Sequence, residues 1–221
     1  MITVIYFWKI RKTNLPWAIL HMGLDRLRLR RNKKIGFWKL LGTGKGETFT
    51  PRDANSQRWG LLVTIPESEL SSFDNSNIIK LWDSKSESRY RVLLQNISAQ
   101  GKWSGKTPFN SELSSSHWNG KVVAITRARI KWFKNPIFWR SVPPVTVSLK
   151  AATGLVSAIG IGEAPFGLQG TFSIWESSAA VRAFAYQGEA HKAAIAATAH
   201  EKWYAEELFA RFAVISESGS L

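Results

Sequence analysis

Residues 59–101 read WGLLVTIPESELSSFDNSNIIKLWDSKSESRYRVLLQNISAQG, and their pattern recurs about 110 positions later, in residues 169–219. In the first copy an apolar run ends at Ile65, a helical stretch follows from about Glu67 to Ser86, and a strand from Tyr90 to Ser98 ends near Gly101. In the second, a run ends at Trp175, Ser177 to Leu208 reads as largely helical, and a strand from Phe209 to Ser216 ends near Gly219. A strand–helix–strand unit returning at a fixed offset argues for duplication rather than for one irregular chain.

The flanking sequence completes each unit. Ile2 to Ile10 is a short apolar strand, and Pro16 opens a helix through Leu29, because proline in a first turn sacrifices no hydrogen bond. Phe37 to Leu41 and Trp59 to Ile65 read as strands joined by a glycine-rich loop, so the order is βαββαβ. Residues 101–120 (GKWSGKTPFNSELSSSHWNG) read as a connector. Beyond it the order returns: Val122 to Lys131 a strand, Pro136 to Lys150 a poor helix broken by Pro143 and Pro144, then strands Leu155 to Gly160 and Leu168 to Trp175.

The expected organisation is an N-terminal ferredoxin-like half over 1–100, a connector over 101–120 and a C-terminal ferredoxin-like half over 121–221. The expected fold class is α+β, with the tandem duplicated halves packed sheet against sheet in a dimeric-α+β-barrel-type fold, helices outside. A cleft between one sheet and its covering helix would suit a flat apolar ligand. A single irregular α+β domain is the alternative.

Composition narrows the chemistry. The chain has 221 residues and no cysteine, which removes disulfides, zinc fingers, iron–sulfur clusters and thiolate-ligated haem, and suits a reducing compartment. Four histidines remain: His21, His117, His191 and His200. The net charge is +14, with 19 Lys and Arg against 9 Asp and Glu in residues 1–120, and 11 against 7 in residues 121–221. Six cations, Arg26, Arg28, Arg30, Arg31, Lys33 and Lys34, fall within nine residues. Such a run reads as a solvated face, a docking patch for an anionic membrane surface, or a nucleic-acid contact. Nucleic acid is the least supported, because no recognition-helix, zinc-finger or ribonucleoprotein signature accompanies it. No stretch approaches 18 uninterrupted apolar residues and no signal peptide is visible, so the expected setting is cytoplasmic, at most peripheral on the inner face of a membrane.

Most motifs lead nowhere. Gly42-x-Gly44-x-Gly46 lacks both a following helix and a Lys-Ser/Thr pair, and Gly160-Ile161-Gly162 at the equivalent place favours a structural turn repeated by duplication. No Ser/His/Asp order or His-Glu-x-x-His motif is present, and Glu206 and Glu207 are adjacent and cannot share a helix face. His191 is more informative. In a helical stretch Phe184, Gly188, His191 and Ile195 fall at i, i+4, i+7 and i+11, one face with apolar walls and a gap one turn before the imidazole. A neutral imidazole there could ligate haem iron; an ordinary core or surface histidine is the other reading. His200 falls on the opposite side of that helix, and His21 and His117 flank a basic helix and a polar loop with no apolar setting.

Several segments together resemble the spheroidene monooxygenase family of haem-containing carotenoid oxygenases. They are Gly36–Leu40 with Gly42–Gly44, Phe49–Arg52, Gly101–Lys106 before Pro108-Phe109, Ile125–Ala128, Gly160–Pro165, Gln169–Trp175 and Trp203–Phe212. The resemblance covers nearly the whole chain. It implies a haem b enzyme that uses dioxygen and an external electron-donor protein to introduce a keto or hydroxyl group into a carotenoid or similar lipophilic substrate. It also implies His191 as the axial ligand and a fold related to the barrels that house the haems of aldoxime dehydratase and chlorite dismutase. The sequence departs from the family at His21, where glutamine is expected, and in its basic run.

Under that resemblance Arg127 is the candidate for a distal or propionate-binding group, on a strand where Arg127 and Arg129 share a face; an ion pair with Glu163 or Glu207 is the alternative. Phe172 and Ile174 share one face of their strand and Thr171, Ser173 and Trp175 the other; the apolar pair is the expected pocket lining. Two further functions stay open: a haem protein of this fold with other chemistry, of the aldoxime-dehydratase kind, and a non-enzymatic basic module that binds a surface.

Overall fold

The computed structural model describes residues 1–45, 53–110, 118–131, 147–163, 168–187 and 204–221. The first half runs β1 (Ile2–Ile10), α1 (Leu15–Arg31), β2 (Phe37–Gly44), β3 (Ala54–Ile65), α2 (Leu70–Asp74), α3 (Asn77–Lys85) and β4 (Ser86–Gly101). The second runs β5 (Val122–Ile130), β6 (Leu155–Gly162), β7 (Leu168–Trp175), α4 (Ser178–Gln187) and β8 (Tyr204–Ser218). The eight strands close into one barrel in the order β1-β3-β2-β6-β7-β5-β8-β4, every pairing antiparallel.

Within that circle the first half has the sheet order β4-β1-β3-β2 and the second β8-β5-β7-β6, the same ferredoxin-like arrangement twice. Closure comes from like strands meeting across two seams, β2 on β6 and β4 on β8. Closing the sheet leaves no open edge to pair with another chain. The glycines that end each repeat mark the longer seam. Gly101 (φ +96°) and Gly219 (φ +80°) both adopt the left-handed conformation, and a Cβ on either would collide with the facing strand, at the carbonyl of Glu207 and of Arg89 respectively.

The shorter seam corrects the reading of the other glycines. Gly42 and Gly44 belong to β2, Gly160 and Gly162 to β6, and they pair directly as Gly42↔Gly162 and Gly44↔Gly160. They are seam strands rather than repeated turns.

Alternation sorts each strand between an interior and an outer face. Ile5, Phe7, Leu62, Val92, Val123, Ile125, Phe172, Ile174 and Phe212 point inward, and Phe7 meets Phe172 edge-on at 5.1 Å, joining the halves at the centre. The outer face of the first sheet carries Val4, Tyr6, Trp8, Trp59, Leu61 and Val63 beneath Ala18, Leu29, Phe73, Ile79 and Trp82 of the helices. With helices on one side and the interior on the other, β1 is buried on both faces except at Lys9, which is why its sequence runs apolar without alternation.

Four expectations change. The stretch after Ile65 is not one helix, because Ser76 turns extended and the Asn75 side chain bonds the Ser71 carbonyl at 2.9 Å, ending α2 before α3 begins. β4 is longer than Tyr90 to Ser98, paired on both sides by β1 and β8. Residues 204–208, expected helical, begin β8, since pairing with β5, joined by β4 at Leu208, overrides a local helical preference. The connector is not a passive link: Trp103 and Phe109 are buried in the barrel interior. Among the described residues, no helix is long and apolar enough to cross a membrane.

Candidate functional site

The second sheet's outer face is built from three cross-strand rows. Val122 of β5 lies between Trp175 of β7 and Ala213 of β8. The next row is Ala158, Ser173, Ala124 and Arg211, and the one after it Gly160, Thr171, Thr126 and Phe209. The first row is covered: Val181 and Phe184 of α4 pack on Trp175, whose ring lies 5.3 Å from that of Phe184. Ser177 begins this helix by accepting a hydrogen bond from the Ala180 amide at 3.2 Å. The second and third rows present only small side chains in their centre. Ser173 is fixed there, accepting from Trp175 Nε1 at 2.9 Å and donating to the Ala124 carbonyl at 3.2 Å. Arg211 closes the second row at β8, its Nε donating to Ser98 Oγ at 3.0 Å.

Phe184 lies on the outer side of the second sheet, packed on Trp175. Gly188, His191 and Ile195 lie outside the described residues. Phe172 and Ile174 are corrected: they point into the packed barrel interior, on the opposite side of the sheet from Phe184, because the interior claims the bulky apolar positions of β7. The small polar set Thr171 and Ser173, with Trp175, faces the groove instead.

Arg127 is also corrected. It lies on the inner side of β5 at one mouth of the barrel, where its guanidinium donates to Glu206 and, at 3.0 Å, to Glu163. The anion this buried cation required is a pair of protein carboxylates. Glu163 also accepts from Lys39 Nζ at 2.6 Å and Trp103 Nε1 at 2.8 Å, and Glu206 from the amides of Ser104 (2.8 Å) and Gly105 (2.6 Å). Burial would raise the Glu163 carboxyl, but the hydrogen bonds from Lys39 and Trp103 and the charges of Lys39 and Arg127 hold it below its ordinary value. Burial opposes ionisation of Glu206 too, and is outweighed by the two amides and Arg127. The turn so gripped, Trp103 to Lys106, has positive φ at Ser104 (+54°) and Gly105 (+74°), the geometry of a tight two-residue hairpin. Five elements meet in this cluster, which works as a clamp holding Trp103 in the barrel mouth. Sequence reasoning named Arg127 and Glu163 but not the cluster, because its members come from positions 39 to 206; each does lie in a segment that carried the family resemblance.

His21 changes setting as well. It is buried, stacked on Trp17 at 4.2 Å and 3.3 Å from Asp25, which also accepts from Arg28 and Trp82. Among the described residues, no three His, Asp or Glu side chains converge as a metal site.

These features define a duplicated ferredoxin-like α+β barrel with a groove of small residues outside its second sheet. Two aldoxime dehydratase structures share the fold: one, in complex with butyraldoxime, matches 96% of this chain and 79% of its own with a TM-score of 0.58 at 10% identity, the other 96% and 80% with 0.57 at 9%. At the sequence level the chain belongs to the spheroidene monooxygenase family. It is 37% identical over 212 residues to the Rhodobacter capsulatus enzyme, covering 94% of this chain and 87% of that one. It is 36% identical over 206 residues to the Cereibacter sphaeroides enzyme, 92% of this chain but 63% of the relative's length. No family model matches.

Proposed function

We propose that the chain is a haem-dependent monooxygenase that introduces a keto or hydroxyl group into a carotenoid or similar lipophilic substrate. The observation that carries this reading is the outer face of the second sheet, where Ala124, Ala158, Gly160 and Ser173 leave a flat floor beside the Trp175–Phe184 wall; a planar macrocycle fits such a surface. The names of the relatives support the substrate and the reaction class.

Haem bound there would supply the activation of dioxygen, with one oxygen atom going to the substrate and the other reduced to water by an external electron-donor protein. His191 is proposed as the residue that would ligate the haem iron. Trp175 and Phe184 are proposed to keep water from one side of the groove, and Gly188 and Ile195 keep the cofactor-binding role that the sequence pattern suggests. Arg211, on the groove face, takes the anion-binding role that the sequence had offered to Arg127.

The test is the absorption spectrum after haem titration, for wild type beside His191→Ala. A Soret band in the wild type that shifts or collapses in the variant, with circular dichroism unchanged, supports the reading, and dioxygen-dependent conversion of a carotenoid completes it. A wild-type protein that shows no band after titration sinks it.

A further inference from the structure

The solvent side of α1 is apolar where a surface helix is ordinarily polar. Ile19, Leu20, Leu24 and Leu27 are 62%, 58%, 42% and 56% exposed and, with Gly23 between them, fall on successive turns of one ridge. The opposite face, Ala18, His21, Asp25 and Leu29, is the one that packs on the barrel. A single exposed leucine is ordinary; four aliphatic side chains on one ridge mark a surface meant to be covered.

The charges around the ridge say by what. Arg26, Arg28, Arg30, Arg31, Lys33 and Lys34 are all exposed, and Arg11 and Lys12 precede the helix. The helix has one acidic residue, Asp25, and it is fully buried, paired with Arg28 and Trp82. Lys34 pairs with Glu69, while Arg26, Arg30, Arg31 and Lys33 have no carboxylate partner among the described residues. An aliphatic ridge about 12 Å long with a cationic rim and no exposed acid on the helix matches an anionic lipid surface, whose headgroups take the cations while the acyl boundary takes the ridge.

We propose that α1 is an interfacial docking helix that lays Ile19, Leu20, Leu24 and Leu27 into the headgroup boundary of an anionic bilayer, with Arg26, Arg30, Arg31 and Lys33 at the phosphates. The inference stands on α1 alone, and under the proposed function it also brings the protein to the membrane in which a lipophilic substrate dissolves.

Vesicle co-sedimentation tests it, comparing phosphatidylcholine alone with phosphatidylcholine mixed with phosphatidylglycerol. The wild type is expected to pellet with the anionic vesicles in a salt-sensitive way. Leu24→Ser/Leu27→Ser should weaken binding on the order of tenfold or more, and Arg30→Gln and Arg31→Gln about fivefold each, with circular dichroism unchanged. Equal pelleting with neutral and anionic vesicles overturns the proposal, as does a leucine variant that binds like the wild type. A stable dimer in sedimentation equilibrium that the leucine substitutions dissociate also overturns it, assigning the ridge to a second copy. None of these outcomes depends on haem, so failure here and failure of the haem titration are separable.

Discussion

On the first sheet the outward positions of β1 and β3 carry Val4, Tyr6, Trp8, Trp59, Leu61 and Val63; on the second, the corresponding strands β5 and β7 carry Val122, Ala124, Thr126, Thr171, Ser173 and Trp175. The first set is sealed. Tyr6 stacks on Trp8, Trp8 meets Trp82 at 5.3 Å, and Trp82 meets Trp17 edge-on at 5.1 Å. Polar ends are anchored too, Trp8 Nε1 to Asp83 at 2.7 Å and Trp82 Nε1 to Asp25 at 2.8 Å. The second set keeps one aromatic at its edge and small side chains elsewhere. Duplication constrains the shared interior, where the two halves must fit each other; each outer face answers only to its own helices and is free to diverge. One became a core and the other a groove.

The comparison breaks first at Trp82. If the first outer face is a true core, Trp82→Ala removes a buried ring and one of the hydrogen bonds to buried Asp25, for a loss of about 3–5 kcal/mol in denaturant unfolding. A loss under about 1 kcal/mol would mean that this face is no more closed than the other.

A smaller effect separates the two sides of the second sheet. Arg127 serves the clamp and not the groove, so Arg127→Ala should cost about 2–3 kcal/mol while leaving haem affinity unchanged. A lost Soret band in a stably folded variant would return Arg127 to the groove. The clamp also sets the acid limb of stability. Glu163 and Glu206 are held below their ordinary value near 4.5, so as pH falls the unfolded chain takes up protons first. Stability should be level above that value, fall as pH drops below it through the depressed folded values, and fall less steeply in Arg127→Ala.

The mildest pair sharpens the contrast most directly. Ala18 is fully buried under the first sheet and Ala124 lies on the groove floor. Ala18→Leu overpacks a closed face and should cost about 1–3 kcal/mol, whereas Ala124→Leu should change stability by under about 1 kcal/mol yet weaken haem binding tenfold or more. Equal stability costs would show that the groove is as tightly filled as the core.

Much of the scaffold was legible because duplication leaves its mark twice. The terminal glycines Gly101 and Gly219, which end the two copies of the repeat, prove to be equivalent positions where each end strand crosses the other. What misled was local. Residues 204–208 look helical by composition, and only their pairing with β5 makes them strand. Alternation separates Phe172 and Ile174 from Ser173 and Trp175, but it carries no label for inside and outside, and the apolar pair belongs to the barrel interior rather than to the groove. The ridge on α1 carries no such label either: leucine spacing does not say which side of a helix packs, and here the face that packs contains His21 and Asp25.

The sequence by itself determined the duplication, the strand order within each half, the absence of thiol chemistry and the strong positive charge, since these follow from periodicity and residue type along the chain. Which face of each strand looks inward, which cations are spent on carboxylates and which remain exposed, and how Lys39, Trp103, Glu163 and Glu206 gather about Arg127 were decided by the tertiary structure. The reason is that barrel closure joins strands more than a hundred residues apart, and partnership among side chains is a property of those junctions rather than of any segment read alone.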